Sequence, residues 1–358
     1  MSLLNDLYEK GGQSPWLDNL RRTWFASDDL EQLLARGVRG LTSNPSILAK
    51  SIIETDAYDD QAAELFGQGL STEEVYWKLV VDDINNAASR LSGLYESSNG
   101  VDGYISVEVS PRLAHDTDGT IAAAHKLKSE LKHPNVMVKV PATDAGLVAI
   151  EQLTAEGFNI NVTLIFTTKR ALEVLDAFAR GLGRAQGPLD NIHSVASYFV
   201  SRTDSAADKQ LADIDGGEAL ISKLAVAQSK QCYREFTAKL NSDEWSTLKA
   251  NGANPQRLLW ASTSVKNPDL SATYYADALV GPNTVNTLPT ATLEAFEASG
   301  TVSEAITANM DEADELVSQA KSIGIDFDAL GKELEDQGAA GFVDSFDEGL
   351  KALEDQKS

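Results

Sequence analysis

Three predicted strands in the middle of the chain are not continuously apolar, and their polar residues fall at alternate positions or, in the second strand, at one position. The polar positions are Ser106, Glu108 and Ser110 in ISVEVS (105–110), Lys139 in VMVKVPA (136–142), and Asn159, Asn161 and Thr163 in NINVTLIF (159–166). Successive side chains of a strand point to opposite faces, so each polar set shares one face. If these faces point to a common interior, Glu108, Lys139, Asn161 and Thr163 meet there.

A lysine in such a place has a specific chemical use. Lysine normally has a pKa of about 10.4, but burial disfavours the ammonium, and a neutral amine condenses with a ketone. The resulting imine withdraws electrons, so a neighbouring C–C bond can break without a metal or a cofactor. A lone Glu at a solvated strand end, or a lone Lys extending out of its strand, is the alternative for each residue. Three neighbouring strands with the same pattern favour function, because an unpaired buried charge is costly.

Other chemistries have little support in the sequence. The histidines, His115, His125, His133 and His193, form no i,i+4 pair and have no cysteine neighbours, so we expect no metal site. There is no G-x-x-x-x-G-K-[ST] motif, and GLGRAQG (181–187) has the wrong spacing for a dinucleotide-binding fingerprint. We therefore expect no metal and no other cofactor.

Composition limits the partners and the compartment. The net charge of −24 over 358 residues argues against nucleic acid and anionic membranes as partners, and a phosphorylated substrate would need a few local cations. The single cysteine, Cys232, cannot form an intramolecular disulfide, which is typical of a reducing compartment. The first 16 residues do not resemble a signal peptide, and no apolar run approaches the roughly 20 residues that a bilayer requires. We expect a soluble, cytoplasmic protein.

The elements that would position the polar residues follow an α/β pattern. Seven strands are predicted at 40–44, 103–110, 135–142, 159–166, 194–201, 257–263 and 284–289, with a weaker eighth at 16–20. Helical stretches lie between them, as expected for a parallel sheet with external helices. Eight such repeats favour a (β/α)8 TIM barrel with extra helices. With no linker in view, we expect a single domain over 1–358, with the barrel at about 14–300 and C-terminal helices at about 301–358.

Several helices are specific enough to predict in detail. The stretch 71–95 opens with a capping box formed by Ser71 and Glu74. Residues 169–182 have an apolar stripe, and in a helix predicted over 217–240 Ile221, Ala225, Gln228 and Cys232 share a face, which favours a core role for the cysteine. The C-terminal segment from Asp344 is acidic and helical and should dock on the body of the protein. Docking across the barrel mouth is one of the arrangements that the sequence leaves open.

The chain resembles the transaldolase family in seven segments. They are LTSNPSIL (41–48), ISVEVSPR (105–112), NVMVKVPAT (135–143), NINVTLIF (159–166), ASYFVSR (196–202), LLWASTSVKN (258–267) and NTVNTLP (283–289). They follow the family's order over most of the chain, and T-S-N-P-S together with V-K-V-P-A-T and N-x-T-L-I-F is a specific combination. The length and the acidic helical end are similar to those of the longer bacterial-type members.

The resemblance implies a pentose phosphate pathway enzyme that forms a Schiff base. It would transfer a dihydroxyacetone unit from sedoheptulose 7-phosphate to glyceraldehyde 3-phosphate, giving erythrose 4-phosphate and fructose 6-phosphate. The implied catalytic residues are the Schiff-base Lys139, the proton shuttle Glu108, the water-orienting Thr163 and the base Asp18. The implied substrate-binding residues are Asn44, Asn161 and Ser197 for the three-carbon unit and Arg202, Ser264 and Lys266 for the phosphate.

Alternatives remain at two residues and for the reaction itself. Many members have arginine where Lys266 stands, and lysine lacks the bidentate fork, so an ordinary loop lysine is the other interpretation. The segment around Asp18 is only loosely similar, and Asp28 or Asp29 are conceivable substitutes. A fructose 6-phosphate aldolase-type lyase and a non-catalytic sugar-phosphate-binding barrel are the competing functions, and the chain length favours the transferase. A monomer or a homodimer is expected.

Overall fold

Eight parallel strands form a closed barrel in the computed structural model, which describes residues 2–357. The strands are β1 (Gln13–Asp18), β2 (Gly40–Thr42), β3 (Tyr104–Glu108), β4 (Val136–Pro141), β5 (Ile160–Ile165), β6 (Ser194–Phe199), β7 (Arg257–Ala261) and β8 (Thr284–Leu288). Each strand pairs with the next, and β8 pairs with β1. The predicted (β/α)8 fold is confirmed, and all eight predicted strands are present.

Helices surround the barrel. They are α1 (Leu3–Glu9), α2 (Asp29–Arg36), α3 (Pro45–Ile53), α4 (Asp59–Gly67), α5 (Thr72–Ser97), α6 (Thr117–Glu130), α7 (Asp144–Ala155), α8 (Thr168–Arg184), α9 (Ser201–Leu211), α10 (Leu224–Leu240), α11 (Asp243–Ala250), α12 (Tyr274–Ala278), α13 (Thr290–Ser299), α14 (Met310–Ser322) and α15 (Phe327–Gln356). The predicted capping box at Ser71 and Glu74 opens α5. Among residues 2–357, no helix combines the length and the apolar character needed to cross a membrane.

The barrel interior near the amino ends of the strands is filled by packing. It contains the buried side chains Trp16, Tyr104, Met137, Val195, Leu259 and Val285. Asp102 closes this end, accepts hydrogen bonds from Trp16 and Arg39, and pairs with Arg257 at 3.1 Å. Gly40 is needed beside Trp16, because a Cβ at this position would lie 2.6 Å from the indole ring. Space for chemistry is therefore left at the carboxyl ends, where TIM barrels keep their active sites.

The start of β1 and the course of the helix predicted over 217–240 differ from the sequence-based prediction. β1 begins at Gln13 because it pairs with β8 from Gln13 to Leu17, a long-range constraint that the local pattern does not contain. The helix predicted over 217–240 is interrupted, since a short 3₁₀ helix spans Gly217–Leu220 and α10 starts only at Leu224. Ser222, between them, has a φ of 59° and donates its N–H to Asp208 of α9. This hydrogen bond to a side chain of α9 stabilises the interruption between the two helices.

The rest of the α10 prediction holds. Ala225, Gln228 and Cys232 are buried on one face, whereas Ile221 lies in the break and is only partly buried. Burial raises the pKa of the Cys232 thiol well above its ordinary value, so the thiolate is disfavoured. Cys232 is a core residue, as the sequence favoured.

The C-terminal helix α15 crosses the barrel mouth. It packs against α3 after β2, against the short helix at Pro111–Leu113 after β3, against β5 and against α9 after β6. It begins well before Asp344, because the Asp326 side chain accepts hydrogen bonds from the first backbone N–H groups of the helix. Its buried face includes Phe342, Phe346 and Leu353.

Candidate active site

Lys139 and Glu108 form a buried ion pair inside the barrel mouth. They are partners in the register of β3 and β4, and the Lys139 Nζ lies 3.2 Å from the Glu108 Oε2. Only 5% of Lys139 and 3% of Glu108 are exposed. The Lys139 Nζ also donates to the Ser43 carbonyl at 3.0 Å. The amine therefore has polar partners, while its sequence neighbours Val138 and Val140 lie on the other face of β4, because successive side chains of a strand alternate between faces.

Glu108 is suited to proton transfer. Burial raises the pKa of its carboxyl, and the charge of Lys139 opposes that rise only in part. Neither of its oxygens accepts a hydrogen bond from residues 2–357, and the same is true of the buried hydroxyl oxygen of Thr163 on β5. The Glu108 Oε1 and the Thr163 Oγ1 are thus available to a substrate or a water molecule, since buried polar groups require partners.

A hydrogen-bonded chain fixes Asn161 beside this pair. Asn161 lies opposite Lys139 in the register of β4 and β5. Its Nδ2 donates to the Ser106 Oγ at 3.0 Å, and its Oδ1 accepts from the Ser197 Oγ at 2.6 Å. Both ends of the amide are held, so its orientation is set before a ligand arrives. One N–H of the Asn161 amide remains to donate to a hydroxyl.

A bulge in β5 shapes the mouth beyond Thr163. The pairing of β5 with β6 shifts between Val162 and Ile165, and Leu164 has a φ of 61°. The left-handed region costs a non-glycine residue roughly 1–2 kcal/mol, so the surrounding packing must hold it. The bulge turns the buried Leu164 toward α15, where its side chain meets Gly338.

Asp18 reaches the same cavity from β1. Its Oδ1 accepts a hydrogen bond from the Thr42 Oγ1 at 2.6 Å, and Thr42 contacts the Thr287 hydroxyl, also at 2.6 Å. Burial raises the pKa of Asp18, while Thr42 and the charges of Lys139 and Arg202 lower it. A carboxyl whose pKa is raised takes up a proton more readily than an ordinary aspartate, which suits a general base.

The other predicted acids are placed differently. Asp28 and Asp29 are exposed at the start of α2, where acidic residues complement the helix dipole. Asp18 is therefore the aspartate that the fold directs into the mouth.

Asn44 follows β2 and caps α3, with its Oδ1 accepting from the Ile47 N–H at 3.0 Å. Its Nδ2 is left for a ligand.

The three predicted phosphate ligands lie at one side of the mouth. Arg202 starts α9 directly after β6, and its guanidinium lies 5.3 Å from the centre of the Phe199 ring. The loop after β7 contains Ser264 and the exposed Lys266. This loop is bonded to α9, because the Ser201 N–H donates to the Ser262 carbonyl at 2.8 Å. Among residues 2–357, Arg202 and Lys266 form no ion pair.

Sequence reasoning missed several residues of the mouth. Thr42 and Thr287 stand at inward positions of β2 and β8, and the alternation rule applied to T-S-N and N-T-L-P would have found them. Ser43 contributes a backbone carbonyl, which has no sequence signal. Phe342 reaches the site only because α15 crosses the mouth. Within residues 2–357 there is no group of three or more His, Cys, Asp or Glu side chains that could hold a metal ion.

Comparisons with known proteins agree with this geometry. The family model described as Transaldolase/Fructose-6-phosphate aldolase matches residues 15–353. The chain is 44% identical over 352 residues to a protein named transaldolase from Thermobifida fusca, covering 96% of each chain. A transaldolase from Mycolicibacterium smegmatis is 43% identical over 352 residues, covering 96% of this chain and 95% of the relative, and one from Neisseria meningitidis is 39% identical over 356 residues, covering 99% and 100%. The chain therefore belongs to the transaldolase/fructose-6-phosphate aldolase family of enzymes.

Proposed function

We propose that this enzyme transfers a dihydroxyacetone unit from sedoheptulose 7-phosphate to glyceraldehyde 3-phosphate, giving erythrose 4-phosphate and fructose 6-phosphate in the pentose phosphate pathway. The observation that supports this most is the buried pair of Lys139 and Glu108, 3.2 Å apart, in a barrel mouth that also contains Asp18. A ketone needs an amine to form the imine, and a second group must move protons beside it. The relatives named transaldolase extend over nearly the whole chain.

The first half of the reaction forms the imine and breaks the C–C bond. Glu108, through a water molecule held with Thr163, first takes a proton from the Lys139 ammonium, and the neutral Nζ attacks the ketone carbon of the donor. Glu108 then gives this proton to the hydroxyl of the adduct, which leaves as water and yields the protonated imine. Asp18 then accepts the proton of the hydroxyl on the far side of the bond that breaks. The C–C bond breaks and the aldose phosphate leaves. The electron pair of that bond stays on the three-carbon unit, which is now an enamine bound to Lys139.

The second half repeats these steps in reverse. The enamine carbon attacks the aldehyde of the acceptor, and Asp18 returns its proton to the new hydroxyl. Water hydrolyses the imine with Glu108 as base, which frees the amine. Asn44, Asn161 and Ser197 bind the hydroxyls of the three-carbon unit, while Arg202, Ser264 and Lys266 bind the phosphate.

Reductive trapping tests the proposal directly. Borohydride with fructose 6-phosphate should leave a stable three-carbon adduct on the peptide that contains Lys139, and Lys139→Met should abolish it. Lys332→Met is a matched control, because Lys332 is exposed on α15 and should leave the adduct intact. A protein mass unchanged by substrate and borohydride would exclude the Schiff base and favour the non-catalytic barrel.

The lyase alternative has its own test, since the family model covers both activities. A fructose 6-phosphate aldolase releases dihydroxyacetone without an acceptor. Turnover of fructose 6-phosphate should therefore depend on added erythrose 4-phosphate. Strong turnover in its absence would favour the lyase.

We further propose that the chain acts in the cytoplasm as a single-domain monomer or homodimer. One buried cluster includes residues from Leu4 to Leu353, which supports a single cooperative unit. Sedimentation should give a mass of one or two chains, and calorimetry should show one unfolding transition. A larger assembly or two separate transitions would contradict this.

A further inference from the structure

We propose that Phe342 of α15 is a positioning residue that favours transfer of the three-carbon unit over its release. The inference rests on the proposed function, because it concerns the fate of the enamine on Lys139. The Phe342 ring centre lies 6.0 Å from the Lys139 Nζ, and only 5% of Phe342 is exposed. The ring occupies a place above the amine that bulk water would otherwise take.

The fold brings α15 unusually close to the barrel at this point. Gly338 precedes Phe342 by one helical turn and therefore shares its face. A Cβ on Gly338 would lie 2.7 Å from the Leu164 Cδ2, closer than such contacts allow, so the missing side chain lets the helix seat on β5. The same contact involves the left-handed Leu164 of the β5 bulge. A strained, buried residue that holds a helix over the chemistry is typical of a functional contact.

Polar contacts fix α15 on both sides of Phe342. The Arg112 guanidinium, beyond β3, pairs with Asp347 at 2.6 Å. Ser345 and Ser46, at the start of α3, share a hydrogen bond of 2.7 Å. Phe346, the next turn, packs edge-on against Tyr76 of α5, with ring centres 4.9 Å apart. The position of Phe342 is thus determined by several elements and does not depend on its own contact with Lys139.

The enamine has two fates, and they differ in what reaches its carbon. In transfer, the carbon forms a bond to the acceptor aldehyde, whose oxygen takes the proton held by Asp18. In release, the carbon instead takes a proton supplied by water, and a second step adds water to the imine, giving dihydroxyacetone and the free amine. Both fates hydrolyse an imine, so the ratio depends on protonation of carbon. That carbon is only two bonds from the Lys139 nitrogen and lies in the same covered space.

Apolar cover should therefore suppress release without blocking imine hydrolysis. Glu108 and Thr163 approach the amine from β3 and β5, whereas Phe342 approaches from α15. Closing a site against water suppresses proton leakage from reactive intermediates. The ring thus leaves the proton route on the strands in place and covers the side that faces α15.

Product partition tests the inference. With fructose 6-phosphate and erythrose 4-phosphate, the ratio of released dihydroxyacetone to transferred unit is measured for the wild type, Phe342→Ala and Phe342→Leu. Phe342→Ala should raise the ratio by about tenfold or more, because water enters the space that the ring leaves, and Phe342→Leu should stay near the wild type. In deuterated water, the extra dihydroxyacetone should contain one carbon-bound deuterium.

The control is Phe346→Ala, which truncates an equally large buried side chain one turn away that packs on α5. Its ratio should remain that of the wild type, and an equal rise would assign the effect to general loosening of α15 and overturn the role of Phe342. If Phe342→Ala does not fold, Gly338→Ala tests the inference in its place. Its Cβ would push α15 away from β5 and should raise the ratio of released dihydroxyacetone to transferred unit. A wild type that traps and transfers while the variant ratios stay unchanged overturns this inference alone. A wild type that forms no borohydride adduct overturns the proposed function as well.

Discussion

Arg202→Ala should weaken binding of phosphorylated sugars and leave Schiff-base formation intact. The guanidinium starts α9 at the edge of the mouth, and among residues 2–357 it forms neither a hydrogen bond nor an ion pair. The guanidinium lies 5.3 Å from the centre of the Phe199 ring, and its charge also acts on Asp18. The substitution breaks no hydrogen bond or ion pair of residues 2–357, so the fold should be retained, and it removes one of the charges that lower the pKa of Asp18.

Arg202 is exposed, and this sets the size of the effect on binding. A hydrogen bond to a charged group contributes about 1.5–3 kcal/mol, and an exposed site belongs at the lower end even when the arginine is bidentate. KM for fructose 6-phosphate should therefore rise by about 10- to 30-fold. The phosphate is remote from the bond that breaks, so kcat should change little. Arg202→Lys keeps the positive charge but loses the bidentate guanidinium, so its KM should lie between those of the wild type and Arg202→Ala.

Steady-state kinetics with fructose 6-phosphate and erythrose 4-phosphate measure KM, and borohydride trapping with dihydroxyacetone measures imine formation alone. Trapping with dihydroxyacetone should be unchanged in Arg202→Ala. Arg234→Ala is the charge-matched control, because Arg234 pairs with Asp314 on the outer face at 2.8 Å and should leave KM unchanged. Equal losses with both compounds, or the same rise in KM for Arg234→Ala, would refute the assignment.

Three further perturbations separate chemistry from stability. Glu108→Gln should lower kcat by about 100- to 10,000-fold with little change in KM, because it removes proton transfer, and a change confined to KM would contradict that role. Asp102→Asn should lower the free energy of unfolding by about 3–5 kcal/mol in urea titrations, because Arg39 and Arg257 lose a buried counter-charge. An unchanged urea midpoint would show that this network contributes nothing. Burial raises the pKa of Asp204 to about 6, above the unfolded value of about 3.9, so its protonation stabilises the fold as pH falls from 6 toward 4. Asp204→Asn should remove that part of the pH dependence, and identical pH profiles of unfolding free energy for both proteins would contradict the raised pKa.

Local patterns were sufficient to predict the barrel and the inward face of three strands. The alternation that placed Glu108, Lys139 and Asn161 together depends only on the pleat of a strand, and the register of β3, β4 and β5 sets them side by side. The break before α10 was not predictable from the helical stripe. It depends on Asp208, a side chain of another helix, which accepts the Ser222 N–H.

The surroundings of the amine could not be read from its strand. The strand pattern predicted Glu108 near Lys139, but two other neighbours of the amine, the Ser43 carbonyl and the Phe342 ring, come from segments outside β3, β4 and β5. The bulge at Leu164 was equally hidden, because the apolar run from Leu164 to Phe166, where the alternation of NINVTLIF stops, is also typical of a regular buried parallel strand. These features arise from contacts between distant segments, to which a local pattern is blind.

Three buried or partly buried carboxylates show how one scaffold separates stability from reactivity. Asp102 is fully buried at the closed end, yet the guanidiniums of Arg257 and Arg39 outweigh the burial that would raise its pKa, and the pKa falls below its ordinary value. Glu108 is nearly as buried, but it has one ammonium as its partner and its pKa rises. Asp18, held by one hydroxyl, also has a raised pKa. Burial is similar for Asp102 and Glu108, so the number of cationic and hydrogen-bonding partners decides whether each carboxylate stays an anion or can take up a proton. The carboxylates at the barrel mouth have fewer such partners than Asp102, which suits them to proton transfer.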